Sequence, residues 1–367
     1  MERRLRFGLR GGEHGRRCWY LAVTGFALLF WVACQRNPEP APAPPPAGPA
    51  TVSAATVRGQ ASISAASGRP RAAGPAASSD RPTSFRYPAA ARLVAIGDLH
   101  GDLGATRAAL RLAGAIDEND RWVGGDLVVV QTGDYLDRGD DDRSIIELFA
   151  SLSPQARAAG GALHVLNGNH EAMNVAGDFR FVTPKSYADF AEIAPKPELA
   201  PIVRRFPAER RGRAAAFLPG GPFAVRLAEH DAVIVVGDTV FTHGGVLPQH
   251  VSYGIERINT ELRRWMLGQI ATAPPMVTGQ ESPIWSREYS FGEPRPAVCE
   301  MLDKALRQLR AVRMVVGHTP QKEGINSACD EHVWRIDVGM SAFYGGRPEV
   351  LEIRGQKVRA LPEAAAD

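Results

Sequence analysis

The chain has 367 residues, a normal 44% content of hydrophobic side chains and a formal charge of +3 at pH 7. This excess arises at the amino terminus, where six arginines and two glutamates precede Cys34, and removing that +4 leaves about −1 for the remainder. A nucleic-acid-binding protein normally keeps its basic excess in the folded part. The charge distribution therefore excludes nucleic acid as the expected partner.

Residues 1–34 have the layout of an export signal. A basic segment is followed by an uncharged, mostly apolar stretch from Trp19 to Ala33, which is shorter than the about 20 apolar residues of a typical membrane span. The stretch ends at Ala33-Cys34, which resembles a bacterial lipoprotein processing site, although Trp31 stands where leucine is usual. We expect an exported, periplasmic or membrane-anchored protein with a lipid on Cys34. An ordinary cleaved signal and an uncleaved anchor remain alternatives.

Residues 35–88 form a low-complexity segment. Asn37 to Ala50 is almost entirely proline and alanine, and alanine, serine, glycine and arginine dominate the stretch that follows. Such a segment cannot bury enough apolar surface to offset the entropy lost on ordering. We therefore expect a disordered tether, a folded catalytic domain over residues 89–361, and a short tail over residues 362–367.

The folded part begins with a repeat of strand, loop and helix. Apolar, β-branched runs predict strands at 93–96, 127–130 and 163–166, and amphipathic patterns predict helices at about 103–113 and 140–159. Later runs at 233–236, 240–241 and 312–316 predict further strands. This alternation is typical of βαβ units and a largely parallel sheet, whose ligands bind beyond the carboxyl ends of the strands.

The alternation stops after Asn174. Residues at about 178–230 are predicted to form a mostly helical insertion, and its arginine-rich run from Arg204 to Arg213 is expected to be a solvent-exposed face rather than a substrate groove. A helix is predicted at about 255–267, and residues 333–338 and 349–353 alternate as antiparallel strands do. Cys299 and Cys329 could form a disulfide in an oxidising compartment, a question that the sequence leaves open.

Polar side chains follow five of the predicted strands. They lie in the segments 97–102 (GDLHGD), 133–139 (GDYLDRG) and 168–171 (GNHE) and after the two later strands, and the candidate metal ligands among them are Asp98, His100, Asp134, Asn169, His243 and His318. Asp98 and His100 leave an extended backbone on the same side, and the two oxygens of Asp134 could bridge two ions. Oxygen and imidazole ligands without thiolates suit divalent Mn, Fe or Zn. The pattern predicts two divalent metal ions of undetermined identity.

Other residues of these loops suit work on a phosphate ester. Asn169 and His170 are adjacent and point opposite ways in an extended loop, so Asn169 can take a ligand position while His170 faces the leaving group. Asp137 is suited to hold His170 protonated and oriented as a general acid. Arg138 and Arg287, together with the amide of Asn169, are candidates to bind phosphate oxygens. The sequence thus predicts a two-metal hydrolase of phosphate esters.

At these motifs the chain resembles a phosphoprotein phosphatase of the calcineurin-like metallophosphoesterase superfamily. The similarity extends over about residues 92–353, and residues 169–174 (NHEAMN) with Gly177-Asp178 resemble its Shewanella-like branch. The resemblance implies an α/β fold in the form of a four-layer αββα sandwich. It also implies that Asp98, His100 and Asp134 hold one ion and that Asp134, Asn169, His243 and His318 hold the other. A metal-bridging hydroxide would attack phosphorus while His170, supported by Asp137, protonates the leaving group.

Three functions remain open at this point. The expected substrate is a phosphomonoester rather than a diester, since Pro320 stands where many phosphodiesterases of the superfamily carry a second histidine. A phosphorylated protein or peptide is favoured over a nucleotide, because an exported domain would meet few nucleoside polyphosphates. A nucleotide or dinucleoside polyphosphate phosphatase would share the same loops. A non-catalytic phosphate-binding domain is disfavoured, because a pure binder has no need of His170 as an acid. The preference between phosphotyrosine and phosphoserine or phosphothreonine and the oligomeric state are not determined.

Overall fold

The structure is a computed structural model that describes residues 84–362, which belong to one compact unit. The predicted export signal, nearly all of the predicted tether and most of the predicted tail lie outside the described residues. Within residues 84–362, no helix is long and apolar enough to cross a membrane.

The described residues contain two mixed β-sheets. Their strands are β1 (Arg86–Tyr87), β2 (Leu93–Ile96), β3 (Val128–Gln131), β4 (Ala162–Val165), β5 (Val233–Val236), β6 (Thr239–Thr242), β7 (Arg313–Val316), β8 (Asn326–Ala328), β9 (Val333–Arg335), β10 (Glu349–Arg354) and β11 (Lys357–Pro362). One sheet has the order β1-β5-β6-β7-β9-β8 and the other the order β11-β10-β2-β3-β4. The parallel pairing predicted for the strand–loop–helix repeat is present in β2 with β3 and in β3 with β4. Each sheet as a whole is mixed, because β2 with β10 and β5 with β6 are antiparallel.

Alternate side chains of the strands enter two different cores. In β2, Leu93 and Ala95 belong to an apolar layer shared by the two sheets, whereas Val94 and Ile96 pack in the larger core that includes the helices. The shared layer also contains Val130, Leu166, Ile234, Val236, Phe241, Val315, Trp334, Ile336, Leu351 and Ile353. Strands buried on both faces read as continuous apolar runs, which is why the strand positions were predictable. The expected αββα sandwich is confirmed.

Helices cover the outer faces and connect the strands. They are α1 (Leu103–Leu112), α2 (Asp142–Ala158), α3 (Asn169–Val175), α4 (Pro184–Ala188), α5 (Ala200–Val203), α6 (Arg211–Phe217), α7 (Pro222–Leu227), α8 (Pro248–Tyr253), α9 (Ile255–Met266), α10 (Pro275–Thr278) and α11 (Pro296–Leu309). Asp102 begins α1 as its N-cap, since its side chain accepts a hydrogen bond from the backbone N–H of Ala105. The segment predicted as an insertion contains α4 to α7, and its regular elements are all helical, although just under half of its residues lie in them.

The carboxyl-terminal strands are largely antiparallel, as their alternation predicted. β10 lies antiparallel to both β2 and β11, and β9 lies antiparallel to β8 but parallel to β7. The strand also ends at Arg335, so the rest of the predicted alternating segment forms a loop beside the candidate site. Cys299 in α11 is disulfide-bonded to Cys329, which follows β8, so this disulfide is present in the structure.

Candidate active site

The predicted site residues converge beyond the carboxyl ends of strands from both sheets. β2 leads to Asp98 and His100, β3 to Asp134, β4 to Asn169 at the start of α3, β6 to His243 and β7 to His318. All six side chains are at most 5% exposed. Neither sheet carries the complete set, so the stacking of the two sheets is what assembles the site.

Four ligand atoms form a tight cluster around His243. Its Nε2 lies 3.0 Å from Oδ1 of Asn169, 3.1 Å from Nδ1 of His318 and 3.1 Å from Oδ2 of Asp134. The Nδ1 of His243 lies 3.1 Å from the carbonyl oxygen of Thr132, to which it can donate only if it carries the ring proton. With the proton on Nδ1, the lone pair of Nε2 faces the amide oxygen of Asn169, the imidazole nitrogen of His318 and the carboxylate oxygen of Asp134.

These clustered lone pairs fit a divalent cation. Two ligand atoms in adjacent positions, each about 2.1 Å from one ion, lie about 3 Å apart, which matches the observed spacings. Burial lowers the pKa of His318 to about 2, so its imidazole is neutral and able to bind a metal. Burial alone would raise the pKa of Asp134, but His243 and His170 outweigh it and lower that pKa well below its ordinary value.

A second group shares Asp134. Ligand atoms of His100, Asp134 and His170 lie within 4.8 Å of one another, and Oδ2 of Asp98 lies 3.8 Å from Nε2 of His100. Nδ1 of His100 faces the carbonyl oxygen of Leu136 at 3.3 Å, which directs Nε2 towards the group, and burial lowers the pKa of this imidazole to about 3. The second group therefore contains His100 and Asp134, with Asp98 beside His100, and it also includes His170, which was predicted as the acid and not as a ligand. Asp134 joins the two groups.

His170 is held between two carboxylates. Its Nδ1 lies 2.7 Å from Oδ2 of Asp137, and its Nε2 lies 3.9 Å from Oδ2 of Asp134. Burial on its own would lower the pKa of His170, but these carboxylates outweigh burial and raise it above the ordinary imidazole value. The arrangement favours an imidazolium whose Nε2 is directed to the cluster.

The two predicted phosphate-binding arginines border this cluster from different sides. Nη2 of Arg138 lies 3.4 Å from Nε2 of His170, and its guanidinium lies 4.7–5.2 Å from the ring centroids of Phe181, Phe343 and Tyr344. Arg287 is exposed, and its Nη1 donates to the carbonyl oxygen of His318 at 2.8 Å. The aromatic rings hold the Arg138 guanidinium in place beside the imidazole.

The loops adopt a strained backbone that packing holds in place. His100, Asp134, Asp137, Arg138 and His318 all have φ between 45° and 70°, a region that non-glycine residues rarely occupy. Such conformations cluster at functional sites, where the surrounding structure over-determines them.

Glu171 holds two of these loops together, a role that the sequence did not reveal. Its two carboxylate oxygens accept backbone N–H groups of Asp134, Tyr135, Leu136 and Gly168 at 2.7–3.2 Å. The close approach also requires Gly168, because a Cβ there would collide with the Asp134 side chain. The position of Glu171 in the GNHE motif was the available signal.

Two further residues beside the site, Asp337 and Arg213, were not predicted from the sequence. Asp337 is 1% exposed, its Oδ1 accepts the backbone N–H of Gly339 at 2.9 Å, and burial raises its pKa to about 6. Arg213 is fully buried against Asp137, which corrects the expectation that the arginine-rich run is exposed throughout. Arg204, Arg205, Arg210 and Arg211 are exposed as expected. Nothing in the local pattern distinguishes Arg213 from its exposed neighbours.

Comparisons with known proteins agree with this geometry. Residues 91–322 match the sequence model of a family described as calcineurin-like phosphoesterase. The chain is 44% identical over 299 residues to Shewanella-like protein phosphatase 2 of Arabidopsis thaliana, covering 73% of this chain and 76% of that protein. It is 30% identical to Shewanella-like protein phosphatase 1 of Plasmodium berghei (strain Anka), covering 74% of each chain.

A solved structure shares the fold. The crystal structure of a cold-active protein-tyrosine phosphatase from a psychrophilic Shewanella species superposes with a TM-score of 0.59, covering 76% of this chain and 82% of that one. The two sequences are 23% identical over this alignment, so the likeness shows the architecture alone.

Proposed function

This chain belongs to the calcineurin-like phosphoesterase family and is a phosphoester hydrolase, and on that premise we propose that it cleaves phosphomonoesters, with a phosphorylated protein or peptide as the favoured substrate. The two curated relatives described above are both named protein phosphatases, which supports this substrate class. The observation that carries the proposal is the pair formed by His170 and Asp137, because hydrolysis of an ester with a poor leaving group needs a proton donor at the departing oxygen.

Metal binding in the proposal is divided between the two groups of ligands. Asp134, Asn169, His243 and His318 would hold one divalent ion, and Asp98, His100 and Asp134 would hold the other, and the family typically uses two divalent metals. Of these residues, Asp134, His243 and His318 lie in one cluster of the structure, and His100 and Asp134 lie in a second. Two such ions would lower the pKa of a shared water and offset the charge of a phosphate dianion. The closely spaced lone pairs around Nε2 of His243 support this assignment.

The protein's own residues then orient the ester and its leaving group. Asp137 fixes the ring of His170 through Nδ1, so Nε2 carries the proton that passes to the departing oxygen. Arg138 and Arg287 approach the cluster from the sides of His170 and His318 and bind the phosphate oxygens, together with the amide of Asn169. Holding the ester between the ions, the arginines and the acid also favours in-line displacement.

A substrate panel tests this function. The full-length chain, supplied with Mn²⁺, is assayed on phosphotyrosine and phosphoserine peptides, a small alkyl phosphate, a bis-aryl phosphodiester and a dinucleoside polyphosphate. We expect the highest kcat/KM on phosphopeptides. Higher kcat/KM on the dinucleoside polyphosphate would favour the alternative enzyme class, and binding of phosphopeptide without turnover would favour a phosphate-binding domain.

We also propose that the protein is exported and anchored by a lipid on Cys34. The basic and apolar segments before Cys34 and the tether after it support this location. The disulfide between Cys299 and Cys329 is independent support, since disulfides persist mainly in oxidising compartments. A membrane surface would then be a partner of the amino terminus, separate from the catalytic domain.

A further inference from the structure

Arg213 makes an unusually complete set of contacts for a buried arginine. It lies in α6 of the helical insertion and its side chain is 0% exposed. Its Nε donates to Oδ1 of Asn174 at 2.8 Å and its Nη1 to Oγ of Ser186 at 2.7 Å. Its Nη2 donates to Oδ1 of Asp137 at 3.2 Å and to Oδ2 of Asp142 at 2.7 Å. Every nitrogen of the guanidinium is engaged.

These contacts restrain the backbone of Asp137 and one oxygen of its carboxylate, while the other oxygen faces His170. Oδ1 of Asp137 accepts from Arg213 and from Nδ2 of Asn174, which leaves Oδ2 for Nδ1 of His170. The backbone N–H of Asp137 donates to Oδ1 of Asp142, the residue whose other oxygen binds Arg213. Arg213 therefore holds the carboxylate of Asp137 directly and its backbone through Asp142.

The charge balance at this place also depends on Arg213. Asp137 and Asp142 are both fully buried, and Arg213 is the cation that contacts both carboxylates. Removing one partner of a buried ion pair leaves an uncompensated charge, which is strongly destabilising for the conformation that contains it. Without Arg213, the two buried carboxylates would lose the cation they share, and Oδ1 of Asp137 would keep only the donor from Asn174.

The packing of α6 brings the guanidinium to this depth. Gly212 lies directly against the backbone of Phe190, where a Cβ would collide with the carbonyl oxygen. The guanidinium carbon lies 5.2 Å from the ring centroid of Phe190 and 4.8 Å from that of Phe217. All side chains of this polar network are fully buried, a low-dielectric setting in which hydrogen bonds are stronger than in water.

From these contacts we propose that Arg213 is a positioning residue for proton delivery, which reaches across from the insertion and holds Asp137 so that His170 faces the leaving group. The insertion thereby completes the catalytic machinery of the domain. The inference rests on the proposed function, because it concerns the step in which His170 protonates the departing oxygen.

The test compares esters that differ in their need for an acid. We expect Arg213→Met to lower kcat on an alkyl phosphate by about 10- to 100-fold, as loss of an orienting partner commonly does. On p-nitrophenyl phosphate, whose leaving group departs readily, the loss should be several-fold smaller, with KM little changed on both esters. Arg213→Lys restores the positive charge without the planar, forked guanidinium, and this variant should recover part of the lost kcat.

The matched control is Arg211→Met. Arg211 is an exposed arginine of the same helix, and it donates only to backbone carbonyl oxygens in the structure.

A milder variant controls for the case in which a substitution at the buried Arg213 prevents folding. Ser186→Ala removes one acceptor of Arg213 and one donor to Asp142 without removing a charge, and we expect the same selective loss on the alkyl phosphate at smaller size. Equal losses on both esters in folded, fully metallated variants would overturn the inference while leaving the proposed function in place. Absence of monoesterase activity in the unaltered chain would overturn the proposed function itself.

Discussion

The backbone N–H of His170 donates a hydrogen bond to Oδ1 of Asp134 over 2.9 Å, while Oδ2 of the same carboxylate lies 3.1 Å from Nε2 of His243. One side chain thus connects the ligand cluster to the residue proposed as general acid. Since both contacts depend on the same loop, a change that moves Asp134 will alter metal binding and proton delivery together. Changes at His170 alone should separate the two.

Removal of metal should abolish activity and loosen the fold. Treatment with a chelator leaves the lone pairs of Asp134, Asn169, His243 and His318 facing one another without a cation. Hydrolysis should stop and return on addition of Mn²⁺ or a similar ion, and Tm should fall in the chelated protein. A free ion at 100 times its Kd adds about 2.7 kcal/mol to stability. Full activity of demonstrably metal-free protein would contradict the two-metal proposal.

His170→Ala should slow turnover without releasing metal. Loss of a general acid typically costs about 10²–10⁴ in rate, and the loss should shrink on p-nitrophenyl phosphate, which needs no acid. Metal content, measured on the purified variant, should stay at the level of the unaltered chain.

The control for this substitution is His332→Ala, because His332 is 46% exposed and pairs with Asp303 rather than with site residues. It should keep full activity. A loss in His170→Ala that is the same on good and poor leaving groups would rule out the acid role, and loss of one ion would make His170 a ligand instead.

Glu171→Gln should destabilise the domain although it changes one atom. Each oxygen of Glu171 accepts two backbone N–H groups, so an amide NH₂ at either position would face two donors and leave them unpaired. Each unpaired buried donor costs about 1–3 kcal/mol, which should appear as a lower free energy of unfolding and reduced activity. Glu300→Gln, on the exposed side of α11, should change stability by no more than about 0.5 kcal/mol. Equal stability of the two variants would show that the loops do not depend on Glu171.

A second stability prediction concerns pH. Glu352 in β10 is buried, which by itself raises its pKa, but hydrogen bonds from Arg92 and Arg359 outweigh burial and lower the pKa below its ordinary value. A lowered pKa stabilises the fold above the ordinary glutamate value of about 4.3, and this contribution disappears as pH falls through the folded-state pKa. The Tm advantage of the unaltered chain over Glu352→Gln should therefore be constant near neutral pH and shrink below about pH 4. A Tm difference that increases as the pH falls would contradict this prediction.

Cys34→Ser should release the protein from membranes without affecting catalysis. Stable attachment needs more than one acyl chain, so a lipid-modified amino terminus should fractionate with membranes. The variant should be soluble or differently processed and should keep the kcat of the unaltered chain. Mass spectrometry of the mature amino terminus decides the matter, since an unmodified Cys34 or a retained Met1 would refute the lipid anchor.

Much of the site was predictable because it depends on local patterns. A buried strand ending in Gly-Asp needs only an apolar run followed by a turn, so the pattern predicts the strands at 93–96 before Asp98 and at 127–130 before Asp134. The oxygen and imidazole ligands can also be recognised from the residue types alone. The helices predicted near 103–113 and 140–159 lie within two residues of α1 and α2 for the same reason, since their period of apolar side chains is local.

Tertiary structure alone decided which distant segments meet. Arginines recur along the run from Arg204 to Arg213, yet Arg211 is exposed while Arg213 is buried against Asp137, because α6 packs through Gly212 onto the backbone of Phe190. The same holds for β9, whose partners β7 and β8 are set by packing, and for the disulfide of Cys299, whose partner becomes close only when α11 and β8 have packed. Period and turn chemistry are properties of neighbouring residues, whereas burial and pairing depend on contacts between residues far apart in the chain, so no local pattern encodes them.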